Sequence, residues 1–338
     1  MKRSTFLDQK IYAKFGGSRE SAEAGMLNLP ELCLEFLFEQ KESWYDLRAG
    51  YESLKDTKER DLDCNGFSVR LQFNPGRMRS STADVADEKI TERPCFLCLH
   101  NLPKEQKGIL YQSQLLILCN PMPVFSPHFT LSHLEHRRQS ISEYIEAFLQ
   151  LAHVFGPGWV ILYNGPKCGA SAPDHLHFQA IPSGQLPIEK EWRKDKRSAL
   201  KKKMDGVLIY QGKDLGRAVI ILEGSDPRAV SNVFRRFLTG LKRVLLLNEE
   251  PMVNMIGIQN KKNWRLVVFP RQKHRPQIYY NEGLARVVVS PGSIDMGGLL
   301  ITPIEKDFER LDSFAVESIY REVSLDEKTV AKAIQAME

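Results

Sequence analysis

The segment Asp174-His175-Leu176-His177-Phe178-Gln179 decides how this 338-residue sequence is interpreted. In a β-strand, alternate side chains point to the same face, so His175, His177 and Gln179 would share one face. The apolar residues between them would then point into the core. Two imidazoles and an amide on one face of a short strand favour a chemical role over the alternative, which is a polar strand face at a domain edge.

The loop directly before this strand is rich in small residues and has the sequence Asn164-Gly165-Pro166-Lys167-Cys168-Gly169-Ala170-Ser171. Small residues allow backbone N–H groups to approach phosphate oxygens closely. Lys167 adds a positive charge and Ser171 adds a hydroxyl group. A loop of this composition is weak evidence by itself, but directly before a His-x-His-x-Gln strand it predicts a phosphate-binding site.

The loop and the strand together resemble the galactose-1-phosphate uridylyltransferase branch of the histidine-triad superfamily. Gly169-Ala170-Ser171 is also similar to diadenosine tetraphosphate phosphorylases. The similarity to plant GDP-L-galactose phosphorylases is closer, and it covers residues 72–77, 175–180, 186–189 and a C-terminal stretch within 297–325. These segments span most of the chain from residue 70 onward, whereas the N-terminal 65 residues are outside the resemblance.

The resemblance implies an α+β fold of two histidine-triad-like halves, each an antiparallel sheet with packed helices. It also implies that His177 is the catalytic nucleophile and that Gln179 contacts a non-bridging phosphate oxygen. A neutral imidazole suits this role, because it is a good nucleophile near pH 7 and a reasonable leaving group from phosphorus. Further contacts to the substrate and its phosphates are expected at Asn74, Arg77, His128, Asn164, Lys167, Gly169, Ala170 and Ser171.

The expected reaction is nucleotide transfer in two steps through a covalent nucleotidyl-His177 intermediate. The resemblance favours phosphorolysis of a nucleotide-sugar or a dinucleoside polyphosphate, with inorganic phosphate as the second acceptor. A uridylyltransferase that uses hexose 1-phosphate as acceptor is the alternative enzyme. A zinc-stabilised nucleotide- or nucleic-acid-binding protein without turnover is the alternative from another class, and the intact His-x-His-x-Gln sequence argues against it.

A second motif is the Cys-x-x-Cys pair formed by Cys95 and Cys98, which can supply two thiolates to one tetrahedral zinc ion. The resemblance to uridylyltransferases implies His136 and His175 as the other two ligands of a structural Zn²⁺ site. His128 and His133, which stand shortly before His136, are alternatives to it as the metal ligand. Buried thiols packed near a histidine are the non-metal interpretation, and a redox role is disfavoured because no thioredoxin-like βαβ pattern surrounds the pair.

The composition limits the class of protein. The chain has 47 basic and 42 acidic side chains and a formal net charge of +5, which suits an anionic nucleotide and is too small to imply nucleic acid. The sequence shows neither a signal peptide nor a stretch of about 18 apolar residues, so we expect a cytoplasmic protein with reduced cysteines. No nucleic-acid partner, membrane partner or organic cofactor is expected, and a homodimer is compatible with the sequence.

The pattern along the chain predicts an N-terminal helical segment of residues 1–65, a catalytic half of residues 66–190 and a second half of residues 205–338. Apolar spacing predicts a helix over 27–40 with Pro30 in its first turn. Alternation predicts a strand over 67–73, and a capping-box sequence at 140–143 predicts the start of a helix that ends near Phe155.

Two basic stretches have more than one interpretation. Residues 190–203 are either a solvated linker or a helix between the halves, and their lysine run lacks the interleaved aromatic residues of a nucleic-acid patch. Residues 270–276 carry cationic groups that either contact phosphates or belong to a solvated loop. Without the resemblance, Arg77 is equally well interpreted as a surface arginine after a turn.

Overall fold

The computed structural model describes residues 2–16, 28–83, 90, 93–193 and 197–338. The fold is mixed α+β, as predicted, and its centre is an 11-stranded sheet. Helices pack on one face of this sheet and form the larger hydrophobic core. A separate three-stranded sheet packs against part of the opposite face and forms the second core.

The N-terminal segment combines helices with two strands. Its elements are α1 (Lys2–Lys10), β1 (Ile11–Phe15), α2 (Leu29–Ser43), α3 (Tyr45–Glu52) and β2 (Lys58–Cys64). Helix α2 begins with a reciprocal capping box, in which Asn28 accepts the N–H of Glu31 at 3.0 Å and Glu31 accepts that of Asn28 at 3.1 Å. Pro30 lies in the first turn, as predicted, whereas Leu27 lies outside the described residues.

The first half contains the predicted strand at Phe67–Phe73. Its elements are β3 (Phe67–Phe73), α4 (Met78–Ser81), β4 (Gly108–Tyr111), β5 (Leu115–Cys119), β6 (Phe129–His133), α5 (Ile145–Phe155), β7 (Trp159–Asn164) and β8 (His177–Pro182). Strand β8 therefore begins at His177, two residues later than the alternation suggests, and His175 lies just before it.

The predicted capping box at residues 140–143 is wrong, because helix α5 begins only at Ile145. The carboxylate of Glu250, from the second half, accepts the Ser140 hydroxyl at 2.9 Å and the backbone N–H groups of Ile141 and Ser142 at 3.0 and 2.8 Å. These donors are therefore satisfied by a distant residue instead of by Glu143, and the segment stays non-helical.

The second half repeats the order of the first, with three strands, a helix and two strands, and a mainly helical C-terminal region follows. Their elements are α6 (Ile188–Glu191), β9 (Ser198–Met204), β10 (Val207–Gly212), β11 (Ile220–Gly224), α7 (Pro227–Leu245), β12 (Val253–Asn260), β13 (Asn263–Pro270), α8 (Ser293–Met296), β14 (Leu299–Thr302), α9 (Glu305–Arg310), α10 (Ser313–Val323) and α11 (Glu327–Gln335). In the small sheet, β3 lies between β14, which is parallel to it, and β2, which is antiparallel. The boundaries of the three predicted segments stay a prediction.

The strand order of the large sheet contains an internal repeat. The order is β1-β4-β5-β6-β8-β7-β12-β13-β11-β10-β9, so beyond β1 the two ends mirror each other about the β7–β12 pair. The residues of the two halves can be aligned by the face on which they lie. Phe129 of β6 and Ile220 of β11 both belong to the larger core, and with these two aligned the pair Ser132–His177 corresponds to Glu223–Arg265. The two halves are therefore built on one plan despite dissimilar residues.

The lysine run of residues 201–203 lies on β9, which is an edge strand of the large sheet. Lys201 and Lys203 are exposed there, which agrees with a solvated face. Charged side chains on an edge strand also disfavour pairing with another chain. Among the described residues, no helix combines the length and apolar character needed to cross a membrane.

Candidate active site and metal centre

A cavity of about 580 Å³ opens on the face of the sheet that is not covered by the helical core. His177 and Gln179 of β8 lie in its wall. Further lining comes from the start of α3, the segment after β3, the Cys-x-x-Cys turn, the end of β5 with the residues after it, and the loop before β8. The cavity therefore joins segments that are far apart in the sequence, and the volume is in the range of small-molecule sites.

His177 is buried in the cavity wall and has only 6% of its surface exposed. Its Nδ1 donates to the backbone carbonyl of His175 at 2.8 Å, which leaves Nε2 as the nitrogen with a free lone pair. Burial lowers the pKa of the imidazole below its ordinary value, so the ring is neutral at pH 7. A neutral ring with an unprotonated nitrogen in a cavity is the form that a nucleophilic histidine requires.

The backbone on both sides of His177 is held by Gln139, which is 1% exposed. The Gln139 oxygen accepts the N–H of His177 at 2.8 Å, and its Nε2 donates to the carbonyls of Asn164 and His177 at 2.8 and 3.2 Å. This single amide therefore ties the start of β8 to the end of β7. Gln139 could not be predicted, because it stands in an irregular segment without periodicity or motif.

Gln179 lies two residues beyond His177, and its side-chain oxygen is 2.7 Å from Nε2 of His128. His128 has no exposed surface and does not line the cavity. Both of its ring nitrogens contact protein groups, since Nδ1 accepts the backbone N–H of Val124 at 3.1 Å. This placement does not fit direct contact with a phosphate, which is the role that the resemblance implied for His128.

Asn164 and Gly169 place the predicted phosphate loop against the second half of the molecule. The Asn164 oxygen accepts Nδ2 of Asn254 at 2.8 Å and the N–H of Ser293 at 2.7 Å, so its own Nδ2 is the donor left for a ligand. Gly169 has φ of +82°, and a Cβ at this position would lie 2.8 Å from the carbonyl oxygen of Pro291. Only glycine fits there, and the loop keeps its backbone close to the cavity.

Three arginines line the cavity. Arg77 was predicted, and its Nη1 donates to the carbonyl of Met122 at 2.7 Å. Arg93 donates from Nη2 to the carbonyl of Ser171, in the phosphate loop, at 2.8 Å. Arg79 is exposed at the same cavity. Arg79 and Arg93 were missed in the sequence because they stand in polar stretches without a motif. Together these guanidinium groups suit a ligand with several phosphate oxygens.

Besides His128, three more of the predicted contact residues are not among the described residues that line the cavity: Asn74, Lys167 and Ala170. Asn74 has no exposed surface, and its Nδ2 donates to the Gln72 side chain and to the Pro123 carbonyl, both at 3.3 Å. Ala170 is buried, and Lys167 is exposed outside the cavity. Asn74 thus supports the segment that carries Arg77, instead of facing a ligand.

Four predicted metal ligands come together beside the active strand: Cys95, Cys98, His136 and His175. Their ligand atoms all lie within 4.8 Å of one another. Nδ1 of His175 lies 3.3 Å from the Cys95 sulfur and 3.6 Å from the Cys98 sulfur. Nδ1 of His136 lies 3.2 Å from the Cys98 sulfur. Tetrahedral zinc with ordinary bond lengths would hold sulfur and nitrogen about 3.5 Å apart, so the group could bind such a metal.

The outer nitrogens of both histidines have the partners typical of metal-binding imidazoles. Nε2 of His175 donates to the carbonyl of His133 at 2.8 Å, and Nε2 of His136 is 3.5 Å from the carboxylate of Asp174. These contacts direct each Nδ1 towards the sulfurs. His133, an alternative ligand in the sequence, is engaged through Nδ1 with the backbone N–H of Glu135 and lies outside the group.

The cationic residues of the 270–276 loop contact protein groups and do not line the cavity. Arg271 is 2% exposed and donates to four backbone carbonyls, including those of Val323 at 3.0 Å and Pro291 at 2.8 Å. Arg275 donates to the Ser290 hydroxyl at 2.9 Å and to a backbone carbonyl near the cavity wall. These arginines therefore hold loops that surround the site.

Part of the chain matches a family model, and the fold is similar to that of solved structures. Residues 36–182 match a family model described as a domain of unknown function (DUF4922). This range includes the Cys-x-x-Cys pair, the phosphate loop and β8, and it is less than half of the chain. No curated protein sequence matches the chain.

Solved structures of nucleotide phosphorylases are similar to the protein. The yeast Ap4A phosphorylase matches with a TM-score of 0.52 and 17% identity, over 83% of this chain and 94% of that chain. The same enzyme in complex with Ap4A matches with a TM-score of 0.52 and 14% identity, over 84% and 97%. An ADP-glucose phosphorylase from Arabidopsis thaliana has a TM-score of only 0.36 at 13% identity, over 80% and 100%, which is too low to carry an argument. At these identities the similarity shows a shared fold.

Proposed function

We propose that the protein is a nucleotidyltransferase of the phosphorylase type, acting on a nucleotide-sugar or a dinucleoside polyphosphate through nucleotidyl-His177. The observation that carries the proposal is the tautomer of His177 together with its place in the cavity wall. Its Nδ1 hydrogen is donated to the carbonyl of His175, so the lone pair is on Nε2, and the ring lies in the wall of a cavity. The shared fold with the yeast Ap4A phosphorylase supports a nucleotide as ligand.

In the first step, Nε2 of His177 attacks the α-phosphorus of the substrate. A nitrogen–phosphorus bond forms while the bond from phosphorus to the bridging oxygen breaks, and that oxygen leaves with its electron pair. The leaving group is a sugar 1-phosphate from a nucleotide-sugar, or a nucleoside triphosphate from a dinucleoside tetraphosphate. In the second step, an oxygen of inorganic phosphate attacks the same phosphorus, releases a nucleoside diphosphate and restores the neutral imidazole.

The negative charge on the non-bridging oxygens is stabilised by fixed donors around His177. Nε2 of Gln179 and Nδ2 of Asn164 are left to donate because the oxygen of each amide accepts hydrogen bonds within the protein. Arg77 and Arg93 supply positive charge along the cavity. Donors that are already oriented need no rearrangement when the charge develops, and this makes them effective in catalysis.

The metal proposed at Cys95, Cys98, His136 and His175 is zinc in a structural role. Four protein ligands would complete a tetrahedral site, with no position left for a substrate. His175 is two residues from His177 and also accepts the His177 Nδ1 hydrogen through its carbonyl. A metal on His175 would therefore hold the strand start that orients the nucleophile.

Product analysis with a substrate panel tests the proposed reaction. Purified protein is incubated with ADP-, GDP- and UDP-sugars and with dinucleoside tetraphosphates, each with and without inorganic phosphate. We expect a nucleoside diphosphate as a product only when phosphate is present. Release of a nucleoside monophosphate alone would indicate hydrolysis. Exchange with hexose 1-phosphate but not with phosphate would indicate a uridylyltransferase, and binding without products would indicate a non-catalytic protein.

A short exposure to EDTA tests the role of the metal. Since all charge stabilisation at the α-phosphorus is assigned to protein groups, the first turnovers should survive several minutes in excess EDTA. Protein-bound zinc is measured in the same samples by elemental analysis. Immediate loss of activity that magnesium restores would show that a metal acts directly on the phosphate.

A further inference from the structure

His128 is a fully buried histidine that the cavity does not reach, yet it contacts a residue of the proposed active site. It directly precedes β6, whose Thr130 pairs with Gln179 of β8 in the sheet. The side chain of His128 therefore contacts Gln179 from a buried position that the cavity does not reach. A buried imidazole at this place needs an explanation other than substrate contact.

The hydrogen-bond partners of His128 define its tautomer. Val124 donates its backbone N–H to Nδ1 at 3.1 Å, and a backbone N–H can only donate, so Nδ1 must be the unprotonated nitrogen. The ring hydrogen is then on Nε2, where it is donated to Oε1 of Gln179 at 2.7 Å. Burial, together with the nearby positive charge of Arg77, lowers the pKa of His128 to about 3, so the ring stays neutral.

This hydrogen bond decides which way the Gln179 amide faces. An amide has a donor end and an acceptor end of nearly equal size, and only its partners distinguish the two orientations. Since Oε1 is bound by His128, Nε2 of Gln179 is the end that remains for the cavity. In the opposite orientation, Oε1 would face the phosphate oxygens, and two acceptors would repel each other.

His128 is in turn held by Tyr51 of α3. The Tyr51 hydroxyl accepts the backbone N–H of His128 at 3.0 Å and lies 3.2 Å from its carbonyl oxygen, to which it can donate. Tyr51 and His128 are both buried, and His128 is rigidly placed between Tyr51 and Gln179. A hydrogen-bonded path thus runs from the N-terminal segment, which the family resemblance did not cover, to the proposed active site.

We propose that His128 is a positioning residue that holds the Gln179 amide with its N–H group towards the phosphate of the bound nucleotide. The inference rests on the proposed nucleotidyl transfer and adds a requirement to it: the rate of the first step depends on the Nε2–H of His128. His128 itself contacts neither the substrate nor the reacting atoms.

Two substitutions of His128 separate its two nitrogens. His128→Asn can replace the Nδ1 acceptor for Val124 but has no donor that reaches Gln179. His128→Gln can place an amide donor near the position of Nε2. We expect His128→Asn to lower the rate of nucleotidyl-enzyme formation on the order of 10–100-fold with little change in KM, as for other residues that orient a reacting group. His128→Gln should recover a large part of the rate.

The decisive experiment combines His128→Asn with Gln179→Ala. Single-turnover rates are measured for the wild type, both single variants and the double variant, with thermal unfolding and zinc content as controls for the fold. If His128 acts only through Gln179, His128→Asn should cause no further loss in the Gln179→Ala background. If the wild type is active and the rate losses of the two single variants multiply in the double variant, this inference is overturned, whereas the proposed function is not.

A spectroscopic readout tests the geometry without any turnover. In ¹⁵N-histidine-labelled protein, His128 should give the signature of a neutral ring protonated on Nε2 at pH 7, and Gln179→Ala should shift the Nε2–H signal. A ring that is protonated on Nδ1, or is charged at pH 7, would overturn the inference. If His128 shows the expected tautomer but the protein never transfers a nucleotide, the proposed function is overturned. The positioning role of His128 is then overturned as well.

Discussion

Strands β8 and β13 occupy equivalent places in the two halves of the large sheet, but only β8 lines the cavity. With Phe129 aligned with Ile220, His177 of β8 corresponds to Arg265 of β13, and Gln179 corresponds to Val267. In this alignment one strand position carries the proposed nucleophile in one half and a buried arginine in the other. Strand geometry alone does not create the site.

The difference lies in what covers the sheet above each strand. Arg265 is 6% exposed, its guanidinium lies 4.9 Å from the ring of Trp192, and it pairs with Glu223 at 3.0 Å. Val267 has no exposed surface and belongs to the core beneath the small sheet. Over β8 the corresponding space is left open and is walled by the start of α3 and the Cys-x-x-Cys turn. This face of the sheet is packed against other residues in one half and lines an open cavity in the other.

The largest expected effect separates His177 from its counterpart Arg265. His177→Ala should lower the rate of nucleotidyl transfer on the order of 10⁴-fold or more, as for removal of other nucleophiles, with an unchanged melting temperature. Arg265→Met should keep kcat within about threefold but destabilise the fold by about 1–3 kcal/mol, because the partly buried Glu223 then keeps only Arg193 as an ion-pair partner. Rates and urea unfolding of both variants check this. Normal turnover of His177→Ala would remove the proposed nucleophile.

The next comparison is Gln179 against Val267. Gln179→Ala should reduce kcat on the order of 10²-fold, since it removes one donor to the developing charge. Val267→Ala should leave kcat intact and cost about 1–3 kcal/mol of stability through the cavity left in the core. A Gln179→Ala enzyme with full kcat would show that its amide does not contact the phosphate.

Substitution of single cysteines tests whether Cys95 and Cys98 bind a metal or are ordinary buried thiols. Cys95→Ser should lose about one zinc per chain and lower the melting temperature by roughly 10 °C, because metal binding is coupled to folding. Cys64 is also buried but lies on β2, away from the group, so Cys64→Ala should retain the metal. Elemental analysis and thermal unfolding give both readouts. Zinc-free wild-type protein from zinc-supplemented cultures would contradict the assignment.

The smallest effect is a pH dependence of stability. The pKa of His128 is lowered to about 3 in the folded protein, whereas an unfolded histidine titrates near 6.5. The contribution of His128 to stability is therefore complete above pH 6.5 and is lost as the pH falls, by up to about 1.4 kcal/mol per unit. The gap in unfolding free energy between the wild type and His128→Asn should shrink by up to about 2 kcal/mol from pH 7 to 5.

Urea unfolding at several pH values measures this gap. The exposed His100 provides a matched control variant, His100→Asn, which is measured at the same pH values. Parallel curves for the wild type and His128→Asn would show that His128 is not buried as a neutral ring.

The sequence predicted the parts of the site that depend on short-range patterns. Cys95 and Cys98 are a short motif, the resemblance implied His136 and His175 beside them, and the four side chains lie together in the structure. His177 and Gln179 are two residues apart on one strand, so their place on the same face followed from strand alternation. The roles of His128 and Gln139 could not be predicted, because they depend on pairing between distant strands and loops. The capping box failed for the same reason, because Glu250 from the other half binds its donors.

Mapping of the covalent intermediate tests the central claim most directly. Protein is incubated without phosphate with substrates labelled at the α-phosphorus, quenched in alkali and digested, and the labelled peptide is sequenced. We predict an acid-labile phosphoramidate on His177 that disappears, with formation of a nucleoside diphosphate, when phosphate is added to the intact enzyme. Label on another residue, or products formed at the full rate without any labelled protein, would contradict the account.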